Sequence, residues 1–282
     1  MENSKRNIYI IAAISFVILV LAIYFFFIFQ KSPKKIKAEV TSEEVKELNQ
    51  IDLAMRPYVN LTPTADGAEI IISIENMGSY DRIEYELTYL ADNPTATDQK
   101  IQRGSTGTDV NTKDQKYKKS ILLGTASRGV RSPDRGIEDG KLTMHLFKGE
   151  TEFMSETGWD LSRVSRQNTK LGTADGNFKL DTGGLSKEYW VILAETIGLP
   201  PSASFDPKKT QLPIIGVFSV APEFTTNGTV NIKVTSAQKP QLYVFNHADT
   251  KWQKLDSDFN SAAKSVSAKI NSFGTFAVVS SQ

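Results

Sequence analysis

Residues 83–89 read IEYELTY, so that an apolar side chain occupies every second position. Successive side chains of a β-strand point to opposite faces, and this alternation therefore collects the apolar side chains on one face. The segment predicts a strand that is half buried and carries an acidic outer face.

Similar runs on both sides of this strand predict a first β-sandwich over residues 56–162. Its expected strands are Tyr58–Thr62, Glu69–Glu75, Arg82–Leu90, Tyr117–Leu123, Lys141–Lys148 and Thr151–Leu161. About six or seven strands at this spacing are typical of an immunoglobulin-like fold. Asp66-Gly67 and Lys148-Gly149-Glu150 provide hairpin turns, because glycine adopts positive φ without steric cost.

A second β-sandwich is predicted over residues 188–282, after a polar, Gly-rich linker at residues 163–187. Its expected strands are Tyr189–Glu195, Ile214–Val220, Val230–Val234, Leu242–Phe245, Trp252–Leu255, Ser265–Ile270 and Thr275–Val279. The clearest signal is a hairpin over residues 242–255, in which Trp252 is expected to pack across the turn. The fold class is therefore all-β.

The N-terminal part of the chain predicts a transmembrane anchor over residues 8–30, preceded by a cytoplasmic head at residues 1–7. From Ile8 to Phe29 the sequence carries no charge, and a helix of about 22 residues spans roughly 30 Å of hydrocarbon. A cleaved signal peptide would have a shorter apolar core and a small-residue cleavage site. We therefore expect a single-pass signal anchor whose partner is the lipid bilayer.

The side of the membrane on which the body lies is predicted from two opposing signals. Lys31, Lys34, Lys35 and Lys37 follow the anchor, and the positive-inside rule alone would keep the body in the cytoplasm. A short basic head before an apolar segment is, however, the start of an export signal, and large domains translocate largely regardless of nearby charge. We expect a body on the outer side of a cell membrane.

Residues 31–55 are expected to form a stalk between the anchor and the body. Lysine and glutamate recur in it at helical spacing, and Thr41 or Ser42 could cap a short helix.

Several of these segments resemble domains of a known class of proteins. PYVNLTP (57–63), IEYELTYL (83–90), SILLGTAS (120–127) and LTMHLF (142–147) resemble an immunoglobulin-like domain of uncharacterised membrane-anchored surface proteins from uncultured, small-genome bacteria. QLYVFNHADTKWQKL (241–255) and INSFGTFAVV (270–279) look like the β-sandwich modules that close many bacterial surface proteins. The resemblance implies the architecture of the chain, but it assigns a function to no residue.

Composition argues against several classes of chemistry. The chain has no cysteine, which excludes disulfides, thiolate catalysis and Cys-ligated zinc and fits a bacterial exported protein. Its formal charge of +1 gives no reason to expect nucleic acid as a partner. The two histidines, His145 and His247, lack the spacing of a metal pair, and no Gly-x-Ser-x-Gly motif is present. We expect no enzyme activity, no catalytic residue, no cofactor and no metal.

The candidate recognition site is a loop that contains Arg128, Arg131, Asp134 and Arg135. Sandwich domains present variable contacts on such loops, and an envelope protein or an anionic glycan is the expected partner. The polar stretch at residues 92–116, with one edge strand near Ile101–Gly104, is a second candidate.

These features predict a membrane-anchored, surface-exposed, non-catalytic binding or structural module of a bacterial envelope. An accessory subunit of a membrane or secretion assembly is the alternative. An envelope hydrolase is the least favoured function, and a polar cleft with a close carboxylate pair would revive it.

Overall fold

The protein folds as an all-β body in a computed structural model that describes residues 44–235 and 239–280. The strands are β1 Glu44–Glu47, β2 Tyr58–Pro63, β3 Glu69–Glu75, β4 Arg82–Asp92, β5 Lys100–Val110, β6 Lys116–Leu122, β7 Gly124–Ser127, β8 Val130–Pro133, β9 Glu138–Lys148, β10 Thr151–Val164, β11 Lys170–Gly172, β12 Phe178–Asp181, β13 Tyr189–Thr196, β14 Thr210–Ser219, β15 Gly228–Lys233, β16 Pro240–Asn246, β17 Lys251–Lys254, β18 Ser257–Asn260, β19 Ser265–Ile270 and β20 Thr275–Ser280. Single turns of 3-10 helix occupy Leu48–Gln50, Leu53–Met55 and Pro207–Lys209.

The predicted cytoplasmic head and the predicted anchor, residues 1–7 and 8–30, lie outside the described residues. Within the part of the chain that the structure describes, no helix is long and apolar enough to cross a membrane.

The alternating sequence patterns are confirmed as strands. β3 and β19 have the predicted bounds, and each of the other expected strands is present with ends shifted by a few residues. The two predicted hairpin turns are also present, because Gly67 has φ +69° between β2 and β3 and Gly149 has φ +59° between β9 and β10. Trp252 pairs with Phe245 across its hairpin, with ring centroids 5.5 Å apart.

One ten-stranded sheet runs through both predicted sandwiches. Its order is β17-β16-β20-β14-β13-β10-β9-β4-β5, with β1 paired to β10. The halves meet where β10 and β13 pair antiparallel, from Trp159 opposite Ala194 to Val164 opposite Tyr189. Strands of both predicted sandwiches thus share one continuous hydrogen-bonded sheet.

The first hydrophobic core lies between this sheet and the three-stranded sheet β2-β3-β6. Side chains at alternate positions of β4 fill it, and Ile83 and Leu87 have no exposed surface. They pack with Met144 of β9, with Trp159 of β10 and with Ile72 from the covering sheet. The sequence alternation in residues 83–89 thus decides which side of β4 faces this core.

The second core lies on the opposite face of the large sheet. It is covered by the five-stranded sheet β11-β12-β15-β19-β18. Val191 and Leu193 of β13 belong to this core, whereas Ile192 and Ala194 belong to the first one. Because neighbouring side chains of a strand point to opposite faces, β13 is buried on both sides and its sequence is a continuous apolar run.

The helix predicted for the stalk is wrong over residues 44–55. Glu44–Glu47 forms β1, which pairs in parallel with the start of β10 from Glu44 opposite Thr151. Leu48 follows in a 3-10 turn and is 3% exposed in the first core. Backbone pairing with β10 and burial of Leu48 outweigh a weak helical preference, and this segment belongs to the body. Thr41 and Ser42 lie outside the described residues.

Residues 163–187, expected to be a linker, contain the end of β10 together with β11 and β12. Their polar and Gly-rich composition reflects the turn at Asp175-Gly176, where Gly176 has φ +67°. Phe178 and Leu180 nevertheless point into the second core, with 1% and 2% of their surface exposed. The segment is therefore part of the covering sheet.

Two glycines on neighbouring strands provide a matched test of the first core. A Cβ on Gly140 would lie 2.4 Å from the Trp159 ring, whereas a Cβ on Gly158 would meet nothing nearer than 3.9 Å. We expect Gly140→Ala to lower the free energy of unfolding by about 1–3 kcal/mol, because a packed core does not yield to an added methyl group.

Gly158→Ala is the control, and we expect it to leave stability unchanged or to raise it by about 0.5–1 kcal/mol, since glycine is costly within a strand. Urea unfolding followed by tryptophan fluorescence measures both variants. Equal effects of the two substitutions would contradict the packing described for Trp159.

Candidate functional site

Within the described residues, no group of three or more His, Asp and Glu side chains could hold a metal ion. His145 lies on the face of β9 opposite Leu142, Met144 and Leu146, and its Nδ1 is 2.5 Å from Glu152 Oε1. His247 follows β16 and contacts different residues. Both histidines thus make contacts within the body.

His247 joins a small polar cluster inside the body. Its Nε2 lies 3.2 Å from the Tyr58 hydroxyl and 3.0 Å from Thr275 Oγ1, and these two hydroxyl groups are 2.9 Å apart. The imidazole stacks on Phe218, with 5.1 Å between ring centres. Burial, aided by the charge of Lys116, lowers the pKa of His247 to about 4. The ring is therefore neutral at physiological pH.

This burial predicts a loss of stability in acid. The unfolded chain protonates His247 near its usual pKa of 6.5, whereas the folded chain does so only near pH 4. The unfolded state therefore binds more protons between these values, and stability falls as the pH drops through that window. Between pH 7 and pH 4.5 we expect a cost of about 2–3 kcal/mol.

Urea unfolding at the two pH values tests this expectation in three chains. His247→Gln should lose most of this pH dependence, and His145→Gln should retain it. An unchanged slope in His247→Gln would show that the histidine is not held neutral by the fold.

The predicted recognition loop is a hairpin, formed by β7 and β8 and exposed over most of its length. Arg128 and Gly129 form its tip with φ values of +49° and +80°, as a tight two-residue hairpin turn requires. Arg131 bends back to the body, where its Nη1 is 2.5 Å from Glu69 Oε1 and its Nη2 is 3.4 Å from Asp66 Oδ2. The hairpin is thereby held against the turn between β2 and β3.

Asp134 has a structural role at the base of the hairpin. Its side chain is 9% exposed and accepts a hydrogen bond of 2.9 Å from the Tyr89 hydroxyl. The Nε of Arg103 lies 3.5 Å from the same carboxylate. Burial and this carboxylate raise the pKa of the Tyr89 hydroxyl, which therefore stays protonated and acts as a donor. The charge of Asp134 is thus already engaged within the protein.

Arg135 lines an open cleft of about 780 Å³ beside the hairpin. Ile137, Leu161, Arg163 and Trp190 line the same cleft, which also includes the turn around Gly67. We call this site the basic cleft. Of the four predicted site residues, it brings together Asp134 and Arg135, whereas Arg131 pairs with Asp66 on its border and Arg128 lies at the hairpin tip.

Arg163 is positioned in the basic cleft by stacking. Its guanidinium carbon lies 4.4 Å from the centre of the Trp190 ring, and the two residues face each other across β10 and β13. Gly67 packs so closely on the indole that a Cβ there would lie 2.3 Å from it. An arginine held over an aromatic ring has less freedom to lose when its remaining N–H groups bind a ligand.

Sequence reasoning missed Arg163 and Trp190, because only the pairing of β10 with β13 places them together. Arg163 lies in the predicted linker and Trp190 in a predicted strand, and no local pattern joins them.

The basic cleft has an excess of unengaged positive charge. Its acids are occupied, since Asp66 accepts from Thr64, the Ala68 amide and Arg131 while Asp134 binds Tyr89. Within residues 44–235 and 239–280, the Arg135 side chain has no hydrogen-bond or ion-pair partner. Arg163 makes only a long exposed pair with Glu188 at 3.4 Å, and such a pair contributes little. The cleft can therefore bind an anion.

A second cleft lies on the opposite face of the large sheet and is acidic. It has a volume of about 420 Å³ and is lined by Asp139, Glu156, Asp160 and Glu195. Lys141 is bound to Glu156 at 2.9 Å. Partial burial in the cleft raises the pKa of Asp160 and of Glu195, and the nearby charges of Asp139 and Asp175 add to the respective shifts. Carboxyl groups with raised pKa can donate protons.

No protein-family model matches the chain, and no curated protein sequence matches it.

Proposed function

We propose that this protein is a non-catalytic binding module, anchored in a bacterial cell membrane, that captures a carboxylate-bearing glycan in the basic cleft on the outer side of the membrane. The observation that carries the proposal is the pair of arginines in the cleft. Arg135 has no partner within the described residues, and Arg163 is held on Trp190.

The chemistry of the cleft supports an anionic ligand of extended shape. A guanidinium presents a planar fork of N–H donors that matches a carboxylate, and two such groups can engage carboxylates along a polymer. Ile137 and Leu161 add apolar surface between the charged groups. An open cleft of about 780 Å³ admits a chain that runs through it and does not need to end there.

The anchor in this proposal is the uncharged segment from Ile8 to Phe29. The body that follows begins with β1, which pairs with the start of β10, whereas Arg163 lies near the end of β10. At about 3.3 Å per residue, the strand separates Met154 from Arg163 by roughly 30 Å. The basic cleft is therefore remote from the point where the chain enters the body.

We also propose that each half of the body is an immunoglobulin-like sandwich. The strand spacing in residues 56–162 and 188–282 supports this assignment. The two sandwiches then use opposite faces of the large sheet.

Removal of a cleft arginine should weaken binding of an acidic polysaccharide. We expect Arg163→Gln and Arg135→Gln each to raise the Kd for polygalacturonate about 10- to 100-fold, because a charge-assisted hydrogen bond contributes about 1.5–3 kcal/mol. Isothermal titration of the detergent-solubilised full chain measures the change. Neutral dextran should not bind.

Arg82→Gln is the matched control. Arg82 also stacks on an aromatic ring, at 3.6 Å from the centre of Phe147, and pairs with Glu84, but it lies outside the cleft. If Arg82→Gln weakens polygalacturonate binding as much as Arg163→Gln does, binding depends on the total charge of the protein and not on the basic cleft. Tighter binding of polyglutamate than of polygalacturonate would indicate a protein partner, and release of reducing ends would point to hydrolysis in the acidic cleft.

Protease treatment of intact cells tests the proposed sidedness. We expect cleavage of the body beyond Lys37 while a cytoplasmic control protein survives, because the proposal places the body outside the cell membrane. If the body remains protected after the outer layers are opened, it lies in the cytoplasm and a surface-binding function is excluded.

A further inference from the structure

The strand β5 forms one end of the ten-stranded sheet, and among the described residues it pairs only with β4. It has 11 residues, and its pairing with β4 is regular from Lys100 to Gly107. A free edge of this length presents a row of backbone donors and acceptors to any extended chain that lies alongside it.

The other end of the same sheet is protected in a way that β5 is not. β17 has only 4 residues, and Lys251 and Lys254 stand at its ends. Short length and lysine side chains are the usual means by which an edge strand is kept from pairing. β5 instead has an uncharged centre of small residues, Gly104 to Thr108.

The side chains of β5 leave its edge accessible. Gln102, Thr106 and Thr108 are exposed on the outer face, while Arg103 and Ser105 are half buried toward the first core. Asp109 is fixed by Lys119 of β6 and by the Tyr117 hydroxyl, so that the strand is held at this end as well. The edge is thus presented by an ordered strand.

The charges around β5 favour a second copy of the same strand. The Lys100 end lies among acids, since the lysine binds Asp92 and Glu138 with Asp98 nearby in sequence. The turn after Val110 and the strand that follows carry four lysines. Lys116 pairs with Glu75 and Lys119 with Asp109, whereas Lys113 and Lys118 make no ion pair among the described residues. Antiparallel pairing of two copies brings the acidic end of each strand beside the lysine-rich end of the other.

We propose that two copies of this chain pair antiparallel through β5 and so extend the large sheet across a two-fold axis. Such a contact is isologous and closes on itself, which yields a dimer and not a fibre. The inference rests on the sheet edge alone and holds whether or not the basic cleft binds a glycan.

Single-cysteine cross-linking of the full chain in its membrane tests the dimer. The chain has no cysteine, so each variant carries one thiol. With a short bismaleimide reagent, we expect Thr106→Cys to give a species of twice the 31.3 kDa monomer mass. Gln253→Cys, on the exposed side of β17 at the opposite edge, should remain monomeric.

Light scattering of the detergent-solubilised chain provides a second readout at the same two positions. Thr106→Lys should shift the mass from dimer to monomer, because the two like charges meet near the axis, whereas Gln253→Lys should leave a dimer. A folded Thr106→Cys chain that does not cross-link, or cross-linking that is equal at both edges, would overturn the proposal. Cross-linking of Thr106→Cys to a different protein would also overturn it and would identify another strand partner.

Discussion

The antiparallel pairing of β10 with β13 is the contact on which the rest of the body depends. It joins five strands of the first half, β1 among them, and five of the second into one sheet. It also forces β13 to be apolar on both sides, because Ile192 packs into the first core and Val191 into the second. A polar residue at either position would lie buried without a hydrogen-bonding partner, at a cost of about 1–3 kcal/mol.

The same pairing also determines on which face of the large sheet each cleft lies. Arg163 faces Trp190 on the side of the first core, and Asp160 faces Leu193 on the side of the second. Because the side chains alternate, the basic and acidic clefts use neighbouring positions of one strand but open on opposite faces. Opposite charge is thus separated by the thickness of a sheet, and each cleft can attract its own class of ligand.

Sequence patterns predicted strands correctly where one face of the strand is buried, because apolar and polar residues then alternate. The strands around Leu87 and Val266 and the turns at Gly67 and Gly149 follow from local rules and are confirmed. β1 and β12 were missed because they are strands only through pairing with distant partners, and β11 because it pairs only with β12.

In the candidate site too, some residues could be found from local sequence and others only from strand pairing. Arg135 was identified from a local run of basic residues, whereas Arg163 and Trp190 needed the register of two strands. The partner roles of Arg131 and Asp134 likewise depend on contacts with Glu69 and Tyr89 from other strands. Residue type suggests which side chains could bind a ligand, but only the fold determines which of them are already paired within the protein.

The single sheet that unites the two halves can be tested most directly by native-state hydrogen exchange of the full chain at increasing urea, which gives the opening free energy of each strand. If one sheet joins the halves, the slowest amides of β4, β10, β13 and β19 should reach the same free energy and exchange together. Exchange of β13 and β19 at a clearly lower free energy, with β4 and β10 still protected, would show that the halves unfold separately and would contradict the cooperative sheet.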